Sequence, residues 1–224
     1  MPGAVRGAAV GGGERVTARL VLATSNQAKV LELCRILAAD PALAGVQLVA
    51  GAQLGLPDVE ETGDTFAENA LLKAHAAVAA CGLACIADDS GLEVKALGGE
   101  PGVRSARYAG AHGDDQANMA LVLQRLGGLP DRTARFVCVA ALVAPDGREW
   151  TAHGTLAGTL AEAPRGSNGF GYDPIFQPSG ERYTTAEMTA EAKDAISHRG
   201  KAFRAIAAAV RQLVDQSSPP MSTA

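Results

Sequence analysis

The apolar positions change period along the chain, and the changes mark out its elements. Residues 19–23 (RLVLA) are a short apolar run that reads as a buried strand. A polar turn, Thr24-Ser25-Asn26, precedes residues 27–38, where Val30, Leu33, Cys34 and Leu37 share one face at helical spacing. A second apolar run, residues 46–50, completes a β-α-β unit, which implies parallel neighbouring strands and a right-handed crossover. Thr65 and Glu68 then form a capping box for an alanine-rich helix predicted to reach about Cys81. Residues 84–87 read as a strand ending at Asp88-Asp89-Ser90-Gly91, and the Gly-rich stretch 97–102 as loop.

The second half changes character. A helix over 115–126 precedes two runs, 134–144 and 148–156, separated by Pro145-Asp146-Gly147, which is the pattern of an antiparallel hairpin. Residues 164–178 read as a second Gly-rich loop. Two helical segments follow, with Thr189 and Ser197 as caps, and Phe203, Ile206, Ala207, Val210 and Leu213 give the last one a core-facing stripe. The fold class is therefore α/β with a mixed sheet, in one domain over 19–215. Residues 1–18 lack periodicity and any signal-peptide segment, so they read as a disordered extension, and 216–224 as a flexible tail.

Composition narrows the class of function. With 20 basic and 24 acidic residues in 224, the surface is not tuned for polymeric nucleic acid or an anionic membrane. No run approaches the roughly 18 apolar residues of a spanning helix. The four cysteines, Cys34, Cys81, Cys85 and Cys138, form neither a C-x-x-C pair nor a zinc pattern and lie in apolar runs, as reduced core thiols of a cytoplasmic protein do.

Four groups of residues are candidates for chemistry. Thr24 to Lys29 places small polar residues and a lysine between a strand and a helix N-terminus, where free N–H groups and the macrodipole favour phosphate. It is not a P-loop, and on spacing alone a capped helix with a solvated lysine is the plainer reading. Glu60, Glu61, Asp88 and Asp89 are hard oxygen ligands of the kind Mg²⁺ takes, although loop carboxylates are commonly solvated and Asp88 alone suits backbone amides. Phe170 and Tyr172, beside Asp173 and among Gly166, Gly169 and Gly171, offer rings for a purine in a chain with one Trp, three Tyr and five Phe; loop aromatics also pin loops to a core. Lys193, His198 and Arg199 would face different ways on an unbroken helix, so a shared site requires a break near Ser197; otherwise they form a solvated basic surface.

Taken together these blocks closely resemble the inosine triphosphate pyrophosphatase family, from Leu20 to about Leu213. The resemblance rests on Thr24-Ser25-Asn26-x-x-Lys29, Glu61-Thr62-Gly63-x-Thr65-Phe66-x-Glu68-Asn69-Ala70-x-x-Lys73, Ile86-Ala87-Asp88-Asp89-Ser90-Gly91-Leu92, Gly169-Phe170-Gly171-Tyr172-Asp173-Pro174 and Ser197-His198-Arg199-Gly200. It departs at Ser25, where the family commonly has glycine.

The resemblance implies an elongated mixed β-sheet flanked by helices, two lobes with an active-site cleft between them, and a homodimer. It implies hydrolysis of ITP, dITP and XTP to the monophosphate and pyrophosphate, with Mg²⁺ as cofactor held by Glu60 and Asp89. Asp89 is also the implied proton acceptor. Substrate would be bound by Thr24, Ser25, Asn26, Gln27, Ala28 and Lys29, by Lys73 and Ser90, by Phe170, Gly171, Tyr172 and Asp173 around the base, and by Lys193, His198 and Arg199. Two competing expectations are a Maf-type pyrophosphatase acting on pyrimidine triphosphates and a nucleotide-binding sensor without turnover.

Overall fold

The computed structural model describes residues 18–43 and 46–217. The expected N-terminal extension lies outside the described residues except for Ala18. So does the expected tail except for Gln216 and Ser217, which belong to the last helix.

Strand β1 (Arg19–Leu22), helix α1 (Gln27–Ala38) and strand β2 (Gln47–Ala50) form the β-α-β unit, with β1 and β2 parallel. Helix α1 starts where predicted because the Asn26 side chain accepts the Lys29 backbone N–H at 3.1 Å. Helix α2 (Phe66–Cys81) opens on the Thr65 and Glu68 capping box and closes at Gly82, in the left-handed conformation that ends helices.

Strand β3 (Ala84–Val94) corrects the first expectation: it has 11 residues, and the two aspartates lie inside it instead of at its end. Its parallel pairing to β1 stops at Ile86, but antiparallel pairing to β4 (Thr133–Val143) continues from Cys85 to Val94. The neighbouring ladder keeps Asp88, Asp89 and Gly91 extended despite their weak strand preference, a tertiary effect. Strand β5 (Glu149–Leu160) completes the predicted hairpin. A second correction concerns 164–178: this loop ends in a 3-10 turn, Asp173–Ile175, and an edge strand β6 (Phe176–Pro178) paired to β5. The sheet order is β2-β1-β3-β4-β5-β6, parallel on one side of β3 and antiparallel beyond it. The remaining helices are α3 (Asp115–Arg125), α4 (Ala190–Ile196) and α5 (His198–Ser217).

Helices α1 and α5 cover one face of the sheet through Leu33, Leu37, Phe203, Ile206 and Val210, which meet Leu22, Ile86 and Leu142. Helix α2 covers the other through Phe66, Ala70 and Ala74 against Ala87, Val139 and Ala141. A further apolar cluster joins the far ends of β3, β4 and β5 to α3, Tyr172 and Phe176. Glycine sets the closeness of α5: a Cβ on Gly154 of β5 would stand 2.0 Å from the His198 carbonyl oxygen. No helix of the described residues is long and apolar enough to cross a membrane. All four cysteines are free, Cys85 and Cys138 buried, Cys34 and Cys81 only partly so.

Candidate active site

Alternation along β3 decides which aspartate does what. Successive side chains of a strand point to opposite faces, so Asp88 joins α1 and α5 while Asp89 joins α2. Asp88 is buried, and its Oδ2 is shared by Lys29 Nζ at 3.2 Å and Arg199 Nε at 3.4 Å. Burial alone would raise its pKa, but Lys29 and Arg199 outweigh it and hold the carboxyl well below the usual range. Arg199 also binds Glu32 Oε2 at 2.7 Å and donates to Ser90 Oγ at 2.7 Å. Asp88 is thus committed to a buried ion network and is not among the residues that line the cleft.

Asp89 does line it. Its Oδ2 accepts from Asn69 Nδ2 at 3.2 Å, and its Oδ1 from the Ser90 N–H at 3.0 Å, with Lys73 Nζ at 3.4 Å. Burial, only partly offset by Lys73, raises its pKa, which gives a carboxylate a greater appetite for a proton. Lys73 is held between Asp89 and Glu61; those carboxylates and Asp88 outweigh its burial and keep it charged. Glu60 is exposed, lines the cleft and makes no hydrogen bond or ion pair with any described residue. Among the described residues no three His, Cys, Asp or Glu side chains are grouped as a ready-made metal cage. Glu60 and Asp89 nonetheless line the same cleft and could serve a divalent cation such as Mg²⁺, which commonly takes one or two carboxylates and fills its shell with water and phosphate oxygens.

The cleft encloses about 840 Å³ and collects residues from eight segments of the chain. Thr24, Ser25, Asn26 and Lys29 line it, whereas Gln27 and Ala28 do not. Ser25 needs no glycine-like backbone, because no described residue other than glycine has a positive φ. Lys29 is not the solvated lysine of the alternative reading; its side chain turns inward to Asp88.

At the other end the chain breaks at Ser197, as a shared site requires. Ser197 closes α4 in an extended conformation, and its Oγ accepts the Gly200 N–H at the start of α5. The break turns Lys193, His198 and Arg199, all buried, toward one space. Phe170 lies over two of them, 5.1 Å from Lys193 Nζ and 5.3 Å from the Arg199 guanidinium carbon. Asp173 organises the loop by accepting from the Phe170 N–H at 2.9 Å and from Thr185 Oγ1 at 2.8 Å, and by pairing with Lys193. Tyr172 takes the pinning role: it is buried and its hydroxyl donates to the Ser105 carbonyl at 2.8 Å. His198 stacks on Phe136, and its buried Nδ1 has no partner among the described residues. Burial first, then Arg199 and Lys193, push its pKa far down, so the ring is neutral.

Several residues at this site were invisible to pattern reading. Glu32 is buried in α1 although it stands between Leu31 and Leu33, and its partner Arg199 is 167 positions away. Arg107 lines the cleft and binds Glu61, and Asp115 lines it while accepting the Gly171 N–H. The only sequence hint for Glu32 is its place three residues after Lys29 on the same helix.

Comparison with known proteins gives a consistent answer. The model of the Ham1 family matches residues 20–209. The chain is 58% identical over 198 residues to a dITP/XTP pyrophosphatase of Streptomyces coelicolor, covering 88% of this chain and 98% of that protein. Among solved structures it resembles a nucleoside-triphosphatase / dITP/XTP pyrophosphatase of Mycobacterium abscessus at 49% identity and TM-score 0.67, covering 86% of this chain and 98% of that one. The Ham1 protein of Staphylococcus aureus matches at 40% identity and TM-score 0.74, covering 89% and 100%.

Proposed function

This chain belongs to the Ham1 family, and from that premise we propose that it hydrolyses dITP, XTP and ITP to the nucleoside monophosphate and pyrophosphate. The observation that carries the reading is one cleft in which Asp89 shares the wall with the phosphate-type turn Thr24 to Lys29 and with the donors His198 and Arg199. Water attacks the α-phosphorus, its proton passes to Asp89, and the α–β bridging oxygen leaves with pyrophosphate. Asp89 is placed for this on the cleft wall, next to Ser90 and within 3.4 Å of Lys73 Nζ. Lys29, Lys73 and the N–H groups at the start of α1 neutralise the phosphates. Mg²⁺ held by Glu60 and Asp89 would withdraw charge from the triphosphate oxygens when bound.

Base choice follows from donor counting. The Arg199 guanidinium only donates hydrogen bonds, and it shares the pocket with neutral His198 and with Phe170 as a stacking face. Hypoxanthine and xanthine present an oxygen acceptor at position 6. Adenine presents an amino group there, which would leave buried donors unpaired, so ATP is a poor substrate. Ser90, through its bond to Arg199, ties the base side to the strand that carries Asp89.

The separate apolar clusters flanking the cleft support a two-lobed domain, and the free thiols support a cytoplasmic location. A homodimer is the assembly we propose, to be read from light scattering. The functional test is pyrophosphate release from ITP, dITP, XTP, GTP, ATP and dTTP, each with Mg²⁺ and with EDTA. Magnesium-dependent release from ITP, dITP and XTP is expected; preference for dTTP, or binding of ITP without turnover, would overturn the reading.

A further inference from the structure

The loop that carries Glu60 has almost nothing to hold it. Between Leu56 and Gly63 the chain forms no helix or strand. Among the described residues, the hydrogen bonds and ion pairs made by 57–62 are all those of Glu61. Its carboxylate receives Lys73 Nζ at 2.8 Å on Oε1 and Arg107 Nη1 at 2.9 Å on Oε2, while Arg107 Nη2 donates to the Glu61 carbonyl at 3.3 Å. Lys73 divides itself between Glu61 and Asp89. Arg107 alone grips both the side chain and the main chain of the loop, a task that needs the planar fork of a guanidinium.

Arg107 is itself firmly placed. It closes the 3-10 helix Gly102–Arg107, whose Ser105 accepts from the Leu92 N–H on Oγ at 2.9 Å and from the Tyr172 hydroxyl on its carbonyl at 2.8 Å. The segment is therefore tied to the strand that bears Asp89 and to the loop of Phe170. Both carboxylate oxygens of Glu61 are engaged, Oε1 by Lys73 and Oε2 by Arg107.

We propose that Arg107 is a positioning residue that sets the Glu60–Glu61 loop so that Glu60 faces the cleft with Asp89 to hold the divalent cation. The proposal rests on the assignment of Glu60 and Asp89 to that cation. It makes Arg107 a part of metal affinity, acting through Glu61 without touching metal or nucleotide.

The test measures Mn²⁺ binding to the full, nucleotide-free chain by electron paramagnetic resonance, together with steady-state ITP hydrolysis at varied Mg²⁺ and at varied ITP. Arg107→Gln should weaken Mn²⁺ binding and raise the Mg²⁺ requirement by about 10- to 100-fold, the range for residues that orient metal ligands. KM for ITP at saturating Mg²⁺ should change far less. Arg107→Lys should recover part of the loss, since an ammonium reaches the carboxylate but not the carbonyl as well, and it serves in place of Arg107→Gln if circular dichroism shows that the latter fails to fold. Adding Arg107→Gln to Glu61→Gln should cost little more than Glu61→Gln alone. Unchanged Mn²⁺ affinity, a rise confined to KM for ITP, or fully additive losses would overturn the proposal, the second by making Arg107 a phosphate contact. Wild-type protein that binds Mn²⁺ but leaves ITP intact would sink the functional reading, while the Mn²⁺ comparison would still decide the role of Arg107.

Discussion

Replacing Asp88 by asparagine isolates the buried ion network beneath the cleft. The substitution keeps shape and volume but removes the negative charge that Lys29 and Arg199 share. Removing one partner of a buried pair typically costs about 3–5 kcal/mol. Here Arg199 retains Glu32, and the Lys29 side chain keeps 15% exposure, so the low end applies, about 3 kcal/mol. At about 2–4 °C per kcal/mol for a chain of this size, the melting temperature should fall by about 6–12 °C. The loss should depend on pH in a definite direction. The folded pKa of Asp88 lies below its unfolded value, so its stabilisation is complete above the unfolded pKa of about 3.9 and fades as pH falls toward the folded one. Urea denaturation of both proteins at pH 7 and pH 3 should therefore show the gap between them shrinking by about 1 kcal/mol in acid. Equal stability at pH 7, or a gap that does not shrink, would refute the claim that Asp88 contributes as an ionised group.

Other substitutions probe the cleft itself. Asp89→Asn should cut ITP turnover by about 10²–10⁴-fold, the range for loss of a proton acceptor. Its melting temperature should hold or rise, because burial disfavours the ionised form that is replaced; pyrophosphate release and a thermal melt check both. Lys193→Met strands Asp173 as an unpaired buried carboxylate and should destabilise by about 3 kcal/mol in urea while raising KM for ITP; an unchanged midpoint would show the pair to be dispensable. Gly169→Ala should raise KM for ITP more than it lowers kcat, since φ is +78° there and the new Cβ would lie 2.0 Å from Asp173 Oδ2. Wild-type kinetics in that variant would show that the base loop relaxes freely.

How much of this was legible in the residues depends on the range of the forces involved. The β-α-β start with its polar turn before α1, the capping box of Thr65 and Glu68, the 134–156 hairpin and the stripe of the last helix were legible because they arise from neighbours a few positions apart. Family resemblance, built from ordered short motifs, supplied the chemistry that spacing alone left open. The tertiary structure decided the rest. It extended β3 through Asp88 and Asp89 by pairing it with β4, and the alternation of that strand then separated two adjacent aspartates into a buried anchor and a cleft carboxylate. It buried Glu32 against Arg199, and it brought Arg107 to Glu61 across 46 positions. Such pairs leave no mark in local periodicity, because the energy that fixes them comes from desolvation and charge contacts that exist only once distant segments have packed together.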